Sequence, residues 1–513
     1  MFLRRVQVPN FRVLKDVDLT FEPEFTPRIF PLGSLNGGGK STLLQLIFIL
    51  LSCSGDPEKH IFIQNLLEGY KVGNESKKNL LSLELEVYDD NIKLDFVVYS
   101  NNSISNLLDT DNLNSVSISG SGSEIKKEYL KFSVFEKSKS VEQKILNLES
   151  EAKVLLKSIN RLEKAQNIED QDIREDRVVE TIENLRKSDI NLNFINDKRK
   201  YRIGIKSRRY YQDISYIDEI LEEIRENHEE IEIVLNKTYS ERDLLNNSIK
   251  RILEYLKSKC LFYISNFRNS YGKENALLLH IPDVDIDEAN SLLQEISHKV
   301  YLAAPSTQIF LFTNKKIRQL LFKQKNNDSL VHYNSNVQSI KNVFLNFFTY
   351  DFLSVDILIE SFKSARDKDF QNKIKHGEYG ESFQKLLDEM NSLLANKKIN
   401  LDSDLSGVNF KIETDNETSE LYPEDLSHGE LKRLGIYMWL KQRNIENSIV
   451  LIDEIENAFH PDWQYQIISD LAEWGASNQY ILATHSYELC QALTPAHVKE
   501  LEPKLLTAEQ VEN

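Results

Sequence analysis

Apolar residues change their spacing several times along this chain, and each change marks an element. FLRRVQV, VDLTFE, LLSLELEV and IKLDFVVY alternate in part and are rich in branched or aromatic residues, so strands are expected there. RIFPLG is a short apolar run that reads as a buried strand, and STLLQLIFILL behind it reads as a buried helix. From Val141 the step alternates between four and three: Ile145, Leu148, Ala152, Leu155, Ile159, Leu162. A second series of the same kind runs Ile214, Ile217, Leu221, Ile224, His228, Ile231, Leu235, Thr238, Arg242, Leu245, Ile249, Ile252, Leu256. These are heptad seams, and two of them flanking a charged middle predict helical arms folded back as an antiparallel coiled coil; a pair of long amphipathic helices packed on a globular body is the alternative. His228 is expected to be a tolerated polar position on the seam, and Arg242 to lay its stem along it.

Breakers support this division. No proline occurs between Pro57 and Pro282, and Gly204 is the one glycine between Gly122 and Gly272. Long helices require such a gap. Strand-like runs return near the end, at SIVLIDE and YILATHS. The two chain ends are therefore expected to build one α/β head, divided into residues 1–127 and 401–513. Residues 128–275 are expected as the helical coiled-coil insertion and 276–400 as a mixed α/β or helical subdomain.

The bulk numbers narrow the class. The 513 residues carry 63 basic and 80 acidic side chains, a net charge of -17. That argues against a surface coated by nucleic acid and confines any such contact to a local basic patch. The cysteines, Cys53, Cys260 and Cys490, are far apart and form no CxxC pair, so neither a zinc site nor a disulfide framework is expected, and a reducing cytoplasm fits. The N-terminal MFLRRVQVPNF lacks the apolar stretch of a signal peptide. The longest apolar run, Leu43 to Leu51, is broken by Gln45 and is too short to span a bilayer.

Four short segments carry candidate chemistry. The first is GSLNGGGKST, residues 33–42, between the buried strand and the buried helix. Its glycines let backbone N–H groups turn onto phosphate oxygens, and the helix N-terminus adds the positive end of a dipole. Ser34, Asn36, Gly37, Gly38, Gly39, Lys40, Ser41 and Thr42 would form an ATP-binding loop, with Lys40 on the β- and γ-phosphates and Ser41 on Mg2+. Ser34 stands where the usual pattern has glycine; a positive φ there would cost serine about 1 kcal/mol or more. The second segment, SIVLIDEIENAFHP, ends an apolar strand in Asp453 and Glu454. Asp453 would hold the Mg2+ shell, and Glu454 would orient and polarise the attacking water. A surface acidic turn is the alternative. The third, YILATHS, places His485 at a strand tip, where it suits a γ-phosphate sensor or a structural end-cap. The fourth, LSHGELKRL, offers Ser427, Gly429 and Glu430 at a helix start, as a phosphate contact or a routine N-cap.

Taken in order, these segments resemble the ABC-type ATPases of the SMC, RecF and OLD group: phosphate loop, coiled-coil insertion, signature motif, paired carboxylates, histidine switch. The resemblance implies that two heads sandwich two ATPs, each meeting Ser427, Gly429 and Glu430 of the opposite head, so a homodimer or higher oligomer is expected. NFR at Asn10 to Arg12 resembles the family's N-terminal segment and implies Arg12 near the nucleotide. The family's Q-loop glutamine has three candidates here, Gln64, Gln143 and Gln308. DEIENAFHPDWQ resembles shorter ATPases of bacterial anti-phage defence, most of all the PtuA family of Septu and retron systems, with the PARIS-system ATPase second. That likeness implies a separate HNH nuclease partner of the PtuB type and, in retrons, a reverse transcriptase with its RNA-linked DNA. Only 28 residues follow His485 and no HNH pattern occurs elsewhere, so neither the Toprim nuclease domain of OLD-type enzymes nor another nuclease domain of its own is expected. The rival expectations are a DNA-repair or chromosome-organising ATPase, and an ATP-dependent assembly scaffold with little turnover.

One basic stretch stands out in the acidic chain. KRKYRIGIKSRRYY places Lys198, Arg199, Lys200, Arg202, Lys206, Arg208 and Arg209 with Tyr201, Tyr210 and Tyr211 near the turn between the arms. Cations for phosphates and rings for stacking suit nucleic acid; charge pairing with the acidic IEDQDIREDRVVETIEN before it is the alternative.

Overall fold

The computed structural model describes residues 1–501, apart from 35–36, 73–74, 89, 101–132, 188–213, 269–273, 283, 285, 314–339, 341, 351–354, 395, 403, 406 and 415–416. It divides into a head, residues 1–103 with 256–513, and a helical unit, residues 104–255. The basic stretch at 198–211 and Asn36 lie outside the described residues.

Two six-stranded sheets organise the head. The first is antiparallel, in the order β2-β1-β4-β5-β7-β6, from β1 (Phe2–Phe11), β2 (Leu14–Thr20), β4 (Lys77–Val87), β5 (Asp90–Ser100), β6 (Leu261–Arg268) and β7 (Glu274–His280). The second is parallel, in the order β15-β3-β14-β13-β8-β9. Its members are β3 (Ile29–Gly33), β8 (Val300–Ala304), β9 (Phe347–Thr349), β13 (Ile449–Asp453), β14 (Gln479–Ala483) and β15 (Lys499–Glu500). A small antiparallel sheet joins β10 (Lys397–Leu401), β11 (Val408–Thr414) and β12 (Glu417–Leu421).

The parallel strands are buried on both faces, which is why they read as apolar runs without alternation. β13 shows the division residue by residue. Ile449 and Leu451 join one core with the antiparallel sheet and helix α1 (Lys40–Cys53). Val450 and Ile452 join a second core with α9 (His428–Gln442) and α10 (Pro461–Trp474). Because α1 belongs to a core that both six-stranded sheets share, nearly all of its residues are buried, and its sequence has no polar face. The buried Gln479 side chain ties the sheets together at their far ends: its oxygen accepts the Leu3 N–H at 2.7 Å and its amide donates to the Leu3 carbonyl at 2.9 Å. A side-chain amide here stands in for a missing strand partner.

The remaining helices of the head are α2 (His60–Leu67), α6 (Ile286–His298), α7 (Val355–His376), α8 (Ser382–Ser392) and α11 (Tyr487–Gln491). The helical unit contains α3 (Ser133–Gln166), α4 (Gln171–Lys187) and α5 (Ile214–Ser258), the last running on into the head's segment. Most described positions of both heptad seams are buried, while Leu148, His228, Ile231, Arg242 and Ile249 are half-buried. Val141 and Ile145 of α3 share a cluster with Leu235 and Leu245 of α5. Leu155, Ile159 and Leu162 share another with Ile217, Leu221 and Ile224. The early part of α3 therefore meets the late part of α5, which makes the pair antiparallel, and ion pairs Lys137–Glu241 (2.9 Å) and Glu163–Arg225 (2.5 Å) flank the seam. Thr238 is buried on the seam, with its hydroxyl donated back to the Val234 carbonyl, while Arg242 lies over the Tyr239 ring.

One helix is added to the expected arms, and two expected domain divisions are corrected. The charged segment before residue 188 contains a helix, α4, whose Val178, Ile182 and Leu185 add a third member to the cluster of α3 and α5. The insertion spans 104–255 rather than 128–275, because β6 and β7 are strands of the head's antiparallel sheet. Residues 276–400 are not a unit apart: β8 and β9 extend the parallel sheet beyond β13. Among the described residues no helix is long and apolar enough to cross a membrane.

Candidate functional site

Strand order brings the candidate residues together. Along the parallel sheet, β3, β14, β13 and β8 are consecutive neighbours, and their C-terminal ends stop at nearly the same level: Leu32 faces Ala483, Ala483 faces Asp453, and Ala303 faces Ile452. Each strand then hands the chain to one candidate segment: the glycine loop, His485, Asp453–Glu454, and the turn holding Gln308. The crevice beyond the carboxyl ends of parallel strands is where open α/β sheets bind ligands.

The glycine loop enters α1 with Gly37 at φ 80° and Gly39 at φ 94°, both in the left-handed region. Ser34 is not among the residues with positive φ, so the serine carries no backbone penalty. It also gives the loop something. The buried Lys40 ammonium donates to the Ser34 carbonyl at 3.2 Å and to the Ser34 hydroxyl at 3.1 Å, and lies 3.4 Å from His485 Nδ1. Burial pulls the Lys40 pKa down, against the opposing pull of Glu456, Asp453 and Glu454.

Asp453 closes the other side. Its Oδ1 accepts from the Ser41 hydroxyl at 2.9 Å and its Oδ2 from the Gln308 amide at 3.0 Å. Gln308 is in turn bonded by Gln45, the polar residue that breaks the apolar run of α1. Burial pushes the Asp453 pKa up to about 7, helped by Glu454 and Glu456 and opposed by the Ser41 hydroxyl and Lys40. Of the three glutamine candidates, Gln308 alone reaches this carboxylate. Gln64 donates to Ser265 of the antiparallel sheet, and Gln143 to Asn147 on α3.

Glu454 is half-buried at φ 54°, a left-handed conformation that costs a non-glycine residue roughly 1 kcal/mol or more. Its N–H donates to the Ala483 carbonyl at 2.9 Å, and the Asn457 amide donates to its carboxylate at 2.7 Å. Its carbonyl accepts from Lys432 at 2.8 Å. Thus α9, the helix that begins at the signature segment, is clasped to the loop that carries Glu454.

At the start of α9, Ser427 and Glu430 form a capping box: the Ser427 hydroxyl accepts the Glu430 N–H at 3.2 Å, and the Glu430 carboxylate accepts the Ser427 N–H at 2.9 Å. Lys397 pairs with the buried Glu430 at 2.7 Å. Gly429 is buried, and a side chain would not fit there, because a Cβ would lie 2.8 Å from the Ala458 carbonyl oxygen. Ser427 and His428 are the exposed residues of this segment. Arg12 sits on the turn between β1 and β2, with its guanidinium on the Leu66 carbonyl at 3.0 Å and over the Phe11 ring. Val13 and Leu14, which follow it, lie beside Gly39, 2.9 and 2.6 Å from where a Cβ would stand.

The donors present fit a magnesium ion. A hydroxyl and a carboxylate are hard oxygen ligands, and Mg2+ takes one or two carboxylates together with water and substrate phosphates. No dedicated cluster of three or more His, Cys, Asp or Glu side chains forms a metal cage among the described residues. Glu456 lies beyond the carboxylate pair that ends the strand motif. Glu456 is buried and accepts the His485 N–H at 2.6 Å; its signal in the sequence is only a second glutamate two places on.

Comparison with known proteins gives a family. The family model described as "AAA domain, putative AbiEii toxin, Type IV TA system" matches residues 35–491 of the 513. A search of the curated proteins found no match. Among solved structures, the chain is similar to the Smc head domain with an extended coiled coil from Pyrococcus furiosus, bound to the C-terminal domain of ScpA, at 11% identity and a TM-score of 0.28, covering 96% of this chain and 91% of that one. It is also similar to the Smc head domain with a coiled coil and joint from Pyrococcus yayanosii, at 12% identity and a TM-score of 0.30, covering 96% and 94%. A further SmcHead bound to the C-winged helix domain of ScpA is 8% identical with a TM-score of 0.34, covering 96% and 92%.

Proposed function

Because this chain belongs to that AAA domain family, and its fold is an ABC-type ATPase head with a coiled-coil insertion, we propose that it binds ATP with Mg2+ and hydrolyses it at the crevice described above. The observation that carries this reading is the meeting of Lys40, Ser41, Gln308, Asp453 and His485 through direct contacts at the ends of four adjacent strands. Lys40 would leave Ser34 and His485 for the β- and γ-phosphates. Ser41 and Asp453 would hold Mg2+, which neutralises phosphate charge when bound. Glu454 would orient the attacking water, and His485 would contact the γ-phosphate. The exposed Ser427 segment would face the nucleotide of a second copy, so ATP would join two heads.

In this reading the protein is the ATP-controlled regulatory subunit of an anti-phage defence complex. It would govern a separate nuclease of the HNH type and, if the system is a retron, act with a reverse transcriptase and its RNA-linked DNA. The family description, which names a toxin of a toxin–antitoxin system, supports a role in controlled toxicity. The test is nucleotide binding and phosphate release by purified protein, with light scattering for mass. Lys40→Ala should abolish binding of a fluorescent ATP analogue, and Glu454→Gln should bind it and accumulate as ATP-bound dimers. Unchanged ATP affinity in the first variant, or normal turnover in the second, would overturn the site. Loss of phage protection by Lys40→Ala in cells carrying the neighbouring genes tests the biological role.

A further inference from the structure

Glu456 has no part in the scheme above, yet its surroundings are unusual. It is 8% exposed, and one carboxylate oxygen accepts the His485 main-chain N–H at 2.6 Å. The other, Oε2, has no hydrogen-bond partner among the described residues. A buried carboxylate oxygen left without a partner costs about 1–3 kcal/mol or more, so the position is a poor choice for stability alone. The bond also has a counterpart. Two residues earlier on the same loop, the Glu454 N–H donates to the Ala483 carbonyl at 2.9 Å, two residues before His485. Segments 454–456 and 483–485 are thus bracketed by two bonds, one main chain to main chain and one through the Glu456 side chain. The bracket joins the residue that would polarise water to the residue that would sense the γ-phosphate. On its other side His485 touches Lys40, 3.4 Å from its ring. In the proposed cycle that contact ends when Lys40 turns to the phosphates, and the main-chain tether to Glu456 stays.

We propose that Glu456 is a positioning residue for ATP hydrolysis, holding the His485 main chain at a fixed place relative to Glu454. The inference rests on the ATPase reading of the site. What the role needs is a hydrogen-bond acceptor at full side-chain reach, not a negative charge. Glu456→Gln keeps the reach and an acceptor; Glu456→Asp keeps the charge and loses the reach.

The experiment measures kcat, KM and affinity for a fluorescent ATP analogue in Glu456→Ala, Glu456→Gln, Glu456→Asp, His485→Ala and the double alanine variant, together with amide hydrogen exchange of the His485 segment without nucleotide. Glu456→Ala and Glu456→Asp should lower kcat roughly 10- to 100-fold, as expected for a displaced catalytic group, with KM and affinity within about twofold of wild type. Glu456→Gln should recover most of the rate, and the double variant should be no slower than His485→Ala. Exchange at His485 should quicken in the alanine and aspartate variants and stay slow in the glutamine variant. A fast Glu456→Asp with a slow Glu456→Gln overturns the proposal, as does a double variant whose losses multiply, or exchange that does not respond to Glu456→Ala. If the alanine variant does not fold, the glutamine and aspartate pair decides by the same criteria. If wild type binds ATP without turning it over, the ATPase reading falls, and the exchange pattern still decides whether Glu456 holds His485.

Discussion

Gly39→Ala tests whether the β1–β2 turn braces the glycine loop. Two penalties meet at this position. Gly39 has φ 94°, and a side chain in left-handed backbone costs about 1–2 kcal/mol. The added Cβ would lie 2.6 Å from Leu14 Cδ2 and 2.9 Å from Val13 Cγ2. Val13 is 50% exposed and can swing away. Leu14 is 1% exposed and cannot, so an overpacking cost of about 1–3 kcal/mol remains. The sum is about 2–5 kcal/mol, and it must appear somewhere. If the loop yields, ATP affinity falls, by roughly a hundredfold for about 3 kcal/mol. If the turn yields, the unfolding free energy falls instead. The assay is therefore a pair: titration of a fluorescent ATP analogue, and urea unfolding of the free protein. Adding Leu14→Ala removes the nearest clash and leaves the backbone penalty. The double variant should recover about 1–3 kcal/mol relative to the sum of the single variants. Additive losses, or a Gly39→Ala protein that binds and unfolds like wild type, would refute the contact.

Other outcomes follow from single contacts. Gln308→Ala removes an amide partner of Asp453, and ATPase activity should then need about tenfold more Mg2+, read from a magnesium titration. Lys432→Met removes two bonds from a buried ammonium, to the carbonyls of Glu454 at 2.8 Å and Asn457 at 3.1 Å, and should lower the urea unfolding free energy by about 2–4 kcal/mol. Glu430 sits below its ordinary pKa of 4.5 because Lys397 and Ser427 outweigh the opposing effect of burial. Its stabilising contribution is therefore complete above 4.5 and lost as pH falls through the depressed value. Glu430→Gln should unfold earlier than wild type at neutral pH, and the gap should close in acid, measured by thermal melts across pH.

The parts legible in the sequence are those whose signal is local. An apolar run broken by a glycine loop, a strand ending in two carboxylates, and a four-three repeat each state their structure within a dozen residues. The α4 helix was not legible, because its Val178, Ile182 and Leu185 are diluted by charge and become apolar partners only beside α3 and α5. β8 was absorbed into an expected subdomain, since nothing in VYLAA says that its neighbour is β13, almost 150 residues on. The ambiguity over Gln308 has the same root. Its identity depends on standing at the end of β8, and that strand matters only through a pairing that sequence spacing does not record. Glu456 shows the limit most plainly, because a carboxylate that accepts from a main-chain N–H in another segment leaves no motif.

These contacts also bear on how a second copy would act on hydrolysis. The exposed residues of the signature segment, Ser427 and His428, open α9. One turn along the same helix, Lys432 holds the Glu454 carbonyl; Glu454 holds Ala483, and Glu456 on the same loop holds His485. A partner that moved α9 would therefore move the left-handed Glu454, whose conformation is already strained and sensitive to small displacement. Spatial continuity alone is no proof of coupling, and Lys432→Met separates the cases. If α9 transmits the partner's effect, this variant should still form ATP-dependent dimers but turn over more slowly per dimer than wild type. If the helix is only a support, turnover per dimer should stay at the wild-type value once the variant is folded, and a concentration series of phosphate release against mass would show which holds.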